Sequence, residues 1–572
     1  MPHLLDQLRR YLHRFLLCLQ PELGLPGPLA ALDRTTDPAG TPAGFSLMPL
    51  SIRRLSASLL LAVLTFSGCG RTTEPPRSRT LLVIGIDGGE WRVIEQLWAR
   101  GDLPYLKALA DRGVRTRLKT AYNSSPVIWT TIATGVVPKR HGITDFVVPT
   151  AAGDVPVSSG LRKVPAIWNM TTTGRRNVAA LGWWASWPAE PIRGVQVSDR
   201  VLLDLPDRVS PPEALARFEA ARTAAENEPS LFGLAEESER RDRSMAYFAR
   251  DLLKKGGLDL MLLYFRSPDV VSHRAWKYFE PEAFAPIPPA ELEANRERVP
   301  NVYRAVDREI GELLKLAPEA NVLVISDHGF HATPREEETK VLLDLDAVLE
   351  RLGYLSRKGG AVDFSRTRVY SYASSDFRQA RFVRFALAGR EGGGTVRPAD
   401  RAPLRAELAK DLDRVTYAGG APVFFVRDAR PKESREGADF VIGVSKAGAS
   451  ETLLVRGTPW KGAVSGIDRI SGTHTTTTHG ILIAAGPDID PKADLSDIDV
   501  HDITPTLLFG LGLPVAEDFD GQAYPQLFRE EFRKRHPLRK IKSWGVRKAE
   551  SGQASKADDQ LLNDLRSLGY IQ

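Results

Sequence analysis

Apolar and polar positions fall into two regimes along this chain. In three places it is apolar at almost every position for five or six residues: LLVIGI ending before Asp87, LMLLYF ending before Arg266, and NVLVI ending before Ser326. Runs of that length, lacking the alternation of a half-exposed strand, predict strands buried on both faces of a parallel sheet. NVAALGW and GILIAAGP repeat the pattern more briefly. Between the runs, residues 211–227, 240–255 and 301–316 read as helices, and the closing DQLLNDLRSLGYIQ as an amphipathic helix that packs on the body or binds a partner. Buried strands interleaved with helices predict an α/β fold with a mostly parallel central sheet.

Each long run delivers chemistry where it ends. The first releases Asp87 and two glycines, and the third releases Asp327 and His328. The second is followed by Asp269 and His273, whose four-residue separation puts both on one face of a helical turn. Strand ends of an open α/β sheet line the crevice where such folds bind ligands. With Ser125 and a late His474 these residues form an oxygen- and nitrogen-rich set able to hold two divalent metals around one serine hydroxyl, a site for phosphoryl or sulfuryl transfer.

The segments IGIDGG, SSPVIWTTIATGVVPKRHGI, PDVVSH, SDHGF and GTHTTTTHGILIAAGPDI stand in that order. Together they resemble the alkaline phosphatase superfamily, and most of all its type I phosphodiesterase/nucleotide pyrophosphatase branch. The resemblance implies an alkaline phosphatase-like α/β core at residues 80–528, helices flanking the sheet, and cap insertions at about 150–255 and 332–468. It places the nucleophile ten residues before the glycine of a TG dipeptide; counting back from Gly135 gives Ser125, also a good N-cap for WTTIAT, with Ser124 the neighbour a one-residue slip would choose. It implies one metal on Asp87, Asp327 and His328, in contact with the Ser125 oxygen, and a second on Asp269, His273 and a late histidine. His474 fits that last place, and His479, immediately before Gly480, is the alternative.

The implied activity is hydrolysis of phosphoric esters or anhydrides through a phosphoserine intermediate, on nucleotide or lipid-linked substrates. A metal activates serine without a histidine base. Carboxylate and imidazole ligands without thiolate fit Zn²⁺ first, with Mn²⁺ or Fe²⁺ as alternatives. Other superfamily activities remain open: phosphomonoesterase, phosphonate hydrolase, phosphomutase or sulfatase, as does a non-catalytic envelope binding protein. A sulfatase needs Pro and Arg two and four residues beyond its nucleophile, where this chain has Val127 and Trp129; export argues against a cytoplasmic mutase; a binding protein would be expected to have lost ligands. Trp183, Trp184 and Trp187 read as core or as a pocket wall, Arg266 as a phosphate contact or a rim ion pair, and His141 as structural.

Residues 48–69, MPLSIRRLSASLLLAVLTFSGC, show a start methionine, two arginines, an apolar stretch and Cys69, the pattern of a bacterial lipoprotein signal peptide. Lipidation at Cys69 would leave the enzyme anchored to the cell envelope membrane, facing the periplasm or exterior, with 70–79 as a linker. The competing reading is one uncleaved anchor helix. Residues 1–47 read as an upstream extension rather than a folded domain. Of 572 residues only Cys18 and Cys69 are cysteine, so a protein beginning at Cys69 would have no disulfide or Cys-ligated zinc in its catalytic region. The net charge of +6 is modest for this length and predicts no specific nucleic-acid binding; much of it lies in residues 529–572, read as a basic tail with the terminal helix.

Overall fold

A computed structural model describes residues 78–567, apart from 151–152, 231–236, 334–337, 360, 373–379, 436 and 551–554. The lipoprotein pattern, Cys69 and the upstream extension lie outside the described residues. An eight-stranded sheet organises the molecule in the order Val114–Leu118, Gly480–Ala485, Asn321–Ile325, Leu81–Ile86, Leu260–Phe265, Val178–Leu181, Gly194–Val197, Val209–Ser210. The five strands from Asn321–Ile325 to Gly194–Val197 are parallel, and Gly480–Ala485 and Val209–Ser210 flank them antiparallel.

The three long apolar runs occupy the middle of this sheet and are buried at every position. Alternate side chains leave opposite faces of a strand, so each run feeds two cores. Leu82, Ile84, Leu263 and Val324 pack under helices Trp91–Ala99, Glu237–Lys255 and Arg298–Leu316, while Leu81, Val83, Leu262 and Leu323 pack with Ile128, Ile167 and Leu507 on the other side. That double demand is why these segments show no polar alternation.

Residues 150–255, set apart in the sequence as an insertion, contribute Val178–Leu181, Gly194–Val197 and Val209–Ser210 to the main sheet. NVAALGW reads as the first of these strands, but the other two, of four and two residues, are too short to announce themselves beside the Trp- and Pro-rich loop, so their place in the main sheet was not read. The segment at 332–468 builds its own core from Val348, Leu349, Val383, Leu408, Phe440 and Ile442. It leaves and rejoins the body through the antiparallel pair Glu338–Leu343 and Val464–Ile470.

The basic tail is laid onto the body. Lys540–Ile541 pairs with Val515–Ala516, Arg547 reaches the buried carboxylate of Glu190 at 2.6 Å, and the closing helix Asp558–Ser567 buries Leu562 and Leu565.

Candidate functional site

Strand register decides what meets at the carboxyl edge of the sheet. Ile86 pairs with Phe265, and Gly85 with Ile325, so Asp87, the start of helix Ser267–Phe279, and Asp327 with His328 emerge side by side. Because Gly480–Ala485 runs antiparallel, the chain enters it at this same edge, which brings the preceding loop and His474 to the site.

Asp269 lies in the first turn of helix Ser267–Phe279 and His273 one turn later, with His273 Nε2 3.4 Å from Asp269 Oδ1. His273 Nδ1–H donates to the carbonyl of Gly472 at 2.9 Å, which leaves Nε2 with the lone pair. A side chain at 472 would drive its Cβ to 2.3 Å from the Ser272 carbonyl, so only glycine permits this approach. His328 repeats the arrangement, its Nδ1 3.0 Å from the Gly329 carbonyl and its Nε2 3.3 Å from Asp327 Oδ2 and 3.6 Å from Asp87 Oδ1.

Two groups of nitrogen and oxygen atoms converge within metal-binding distances: Asp269, His273 and His474, and Asp87, Asp269 and His328, with Asp269 in both. Asp327 joins the second through His328, and its Oδ1 accepts the Gly88 N–H at 3.2 Å. Asp87 Oδ1, both oxygens of Asp269 and Asp327 Oδ2 are buried with no hydrogen-bond partner. Burial, followed by the charge of Asp269, pushes the Asp87 carboxyl above its usual range; burial, followed by the charge of Asp87, pushes Asp327 well above it. Three dry carboxylates so close together are costly alone and fit cations. The donors are oxygen and imidazole nitrogen only, as zinc, manganese or iron accept.

Ser125 faces this cluster, completely buried, with Oγ 3.4 Å from His328 Nε2. It is the first residue of helix Ser125–Thr134, and the N-cap is Ser124, not Ser125 as the sequence suggests. Ser124 makes no capping hydrogen bond, so the cap signal in the serine pair was misleading by one position. The helix closes at Gly135, whose φ of 69° is left-handed and whose N–H donates to Thr131 at 2.8 Å, the turn for which the TG dipeptide is suited.

His479 joins neither group: its Nδ1 accepts the Thr120 N–H at 3.4 Å, and its backbone pairs with that of His328. His141 is buried behind the helix, accepting the Ile143 N–H at Nδ1 and bonding Thr131 Oγ1 through Nε2 at 3.1 Å. Burial holds it down to about 3, so it is neutral and donates to the threonine. Of the three tryptophans, Trp183 and Trp187 are core, and only Trp184 reaches the site, with Nε1 3.4 Å from Asp87 Oδ2.

Sequence reasoning missed Tyr264. Its hydroxyl donates to Asp87 Oδ2 and accepts from Trp184 Nε1 at 2.7 Å. In LMLLYF it reads as one more core residue, and the only available signal is a polar tip one residue before a strand end that carries ligands.

The type I phosphodiesterase / nucleotide pyrophosphatase family matches residues 81–441, and the chain belongs to this family. Among curated proteins none matches. Solved structures that resemble it include murine ectonucleotide pyrophosphatase / phosphodiesterase 5, inactive and in complex with AMP, at 14% identity and a TM-score of 0.42, covering 79% of this chain and 100% of that one. Phosphonoacetate hydrolase from Sinorhizobium meliloti 1021 in complex with phosphonoformate gives 16% identity and a TM-score of 0.40, covering 75% and 95%. Membership of that family makes the chain a phosphoester hydrolase, from a family typically dependent on two metals.

Proposed function

We propose that this enzyme cleaves phosphodiesters or phosphoanhydrides of nucleotide or lipid-linked phosphates, with Ser125 as nucleophile and a phosphoserine intermediate. The observation that carries the reading is the fully buried Ser125 hydroxyl facing three carboxylates whose oxygens lack partners. Asp87, Asp327 and His328 would hold one divalent ion beside Ser125, and Asp269, His273 and His474 the other. Such ions lower the pKa of a bound hydroxyl or water and neutralise phosphoryl oxygens. Zn²⁺ is our assignment, with Mn²⁺ or Fe²⁺ as alternatives.

The chain's own residues prepare that chemistry. Tyr264 and Trp184 occupy Asp87 Oδ2 and leave Oδ1 directed at the cluster. The Nδ1 contacts of His273 and His328 with backbone carbonyls turn both Nε2 atoms inward. Ser125 opens a helix, where first-turn amides and the helix dipole favour an incoming anion. Attack of Ser125 Oγ on phosphorus breaks the bond to the leaving oxygen, which departs with the serine's proton, and water then cleaves the serine ester, releasing the phosphomonoester and restoring the serine hydroxyl.

We also propose that synthesis starts at Met48 and that Cys69 is lipidated, tethering the domain outside the bacterial cytoplasm. The arginines before the apolar stretch and the SGC sequence support this, and no described helix is long and apolar enough to cross a membrane. The experiment that tests the catalytic reading is elemental analysis of the purified protein with a panel of chromogenic mono- and diesters. Two divalent ions per chain and chelator-sensitive diester hydrolysis are expected, and a metal-free active enzyme would overturn it.

A further inference from the structure

Beside the cluster a cavity of about 40 Å³ lies between the Trp184 and Tyr264 rings and the closing helix Asp558–Ser567. It shares a wall with the catalytic residues, since Tyr264 and Trp184 both contact Asp87. Among the described residues, three arginines line it, Arg200, Arg241 and Arg266, against one acidic residue, Asp199. That carboxylate is already committed, accepting the backbone N–H groups of Ala185, Ser186 and Trp187 at 3.2, 3.2 and 2.9 Å.

The arginines are committed unequally. Arg241 donates to the Gly182 carbonyl and pairs with Asp242, and Arg200 donates through Nη2 to the carbonyls of Pro156 and Val157. Both are more than nine-tenths buried. Arg200 Nη1, however, has no hydrogen-bond partner, its nearest carboxylate being Asp558 of the closing helix at 3.7 Å. Arg266 Nε is likewise buried without a partner, the guanidinium lying 5.4 Å from the Trp184 ring centre. Two unsatisfied guanidinium N–H groups in one pocket call for an acceptor that the described residues do not supply.

The closing helix fills the space where that acceptor would sit. Leu561 and Leu565 line the cavity, and Leu565 packs on Phe146, Val270 and Trp184. What is left holds only a few waters. The helix has ten residues and is held by Leu562 and Leu565, by Leu561 against Trp187, Leu203 and Leu205, and by the 3.7 Å approach of Asp558 to Arg200, so few contacts need to break for it to move.

We propose that Arg200, Arg241 and Arg266 form a second anion subsite, which takes a phosphate-like group on the uncleaved part of the substrate once the closing helix is displaced. This rests on the phosphoester-hydrolase reading with Ser125, and it narrows the substrate to diesters or anhydrides that carry a second tetrahedral anion. A neutral diester would use the metal cluster alone.

The test compares two p-nitrophenyl phosphodiesters of equal length, one ending in a phosphate and one, the neutral diester below, ending in an uncharged hydroxyl, in the full chain and in Arg266→Gln and Leu565→Ala. The parent should prefer the phosphate-bearing diester, Arg266→Gln should cut that preference about tenfold or more through KM, and Leu565→Ala should increase it. Equal losses on both diesters in Arg266→Gln would mark a structural arginine and overturn the subsite. A second arm titrates the chelator-treated, metal-free protein with inorganic pyrophosphate in a calorimeter. Binding should weaken about tenfold in Arg266→Gln and tighten in Leu565→Ala, and binding indifferent to Arg266 would overturn the proposal by itself. Hydrolysis of the neutral diester with neither preference nor pyrophosphate binding would sink the subsite and spare the catalytic reading. Arg266-dependent pyrophosphate binding without hydrolysis of either diester would do the reverse.

Discussion

The imidazoles of His328 and His474 lie face to face, with ring centres 3.6 Å apart and planes within 10°. One comes from the end of a central parallel strand, the other from a loop nearly 150 positions later, and their stacking joins the two groups of ligand atoms into one cluster. His474→Ala should therefore remove a ligand and release one metal, lowering affinity by at least about 100-fold, a loss that elemental analysis after dialysis would register. His479→Ala should retain both ions, because its ring serves the Thr120 amide instead. The reverse order would reassign the last ligand.

Ser125 and Ser124 are adjacent, yet only one faces the cluster. Ser125→Ala should lower turnover at least about a thousandfold with an unchanged thermal melt, whereas Ser124→Ala should cost far less, since the Ser124 hydroxyl makes no cap bond to lose. Single-turnover assays with a chromogenic diester would separate the two. A damaging Ser124 change would move the nucleophile by one residue.

The sequence made the site legible to the extent that its residues sit at the ends of strands buried on both faces. LLVIGI, LMLLYF and NVLVI are buried throughout, so the acids that follow them, Asp87, Asp269 and Asp327, mark the edge where the candidate ligands gather. The choice between His474 and His479 was not legible, because it depends on a bend between Gly472 and Gly480 that no local spacing encodes. Tyr264 was hidden for the opposite reason: a position that must pack in the core also carries a hydroxyl to Asp87. The strand at 178–181 was read from NVAALGW but assigned to an insertion, and the strand at 194–197 was missed, because four residues give no period to read.

Tyr264→Phe isolates that hidden hydroxyl without changing the packing. It should weaken metal binding or kcat/KM by about 10- to 100-fold, the usual cost of losing a group that orients a ligand. Metal titrations of variant and parent would show it. An unchanged variant would mean that Trp184 alone, 3.4 Å from the same oxygen, is enough.

The proposed lipid anchor rests on residues outside the catalytic domain. Cys69→Ser should abolish metabolic labelling with a radioactive fatty acid and release the protein from the membrane fraction or leave the precursor uncleaved. A variant that labels and fractionates like the parent would exclude lipidation at this cysteine and favour an uncleaved helix.

Asp307 offers a pH effect remote from any metal. Helix Pro104–Arg112 begins after Leu103, which has a φ of 55° and gives no side-chain cap, so the Asp307 carboxylate, two hundred residues away, accepts the Leu106 and Tyr105 N–H groups at 2.7 and 3.3 Å. Burial outweighs these bonds and raises its pKa from 3.8 to about 6. The folded state then binds more protons than the unfolded chain between those values, so stability is full below about pH 4 and falls as the pH rises through about 6. The loss is on the order of 3 kcal/mol by neutral pH. Asp307→Asn keeps a cap acceptor and cannot ionise, so it should lack this component. Urea unfolding of parent and variant at pH 4.5 and 7.5 would reveal it as a gap that moves in favour of the variant at the higher pH, and parallel changes in the two proteins would show that Asp307 is already ionised throughout.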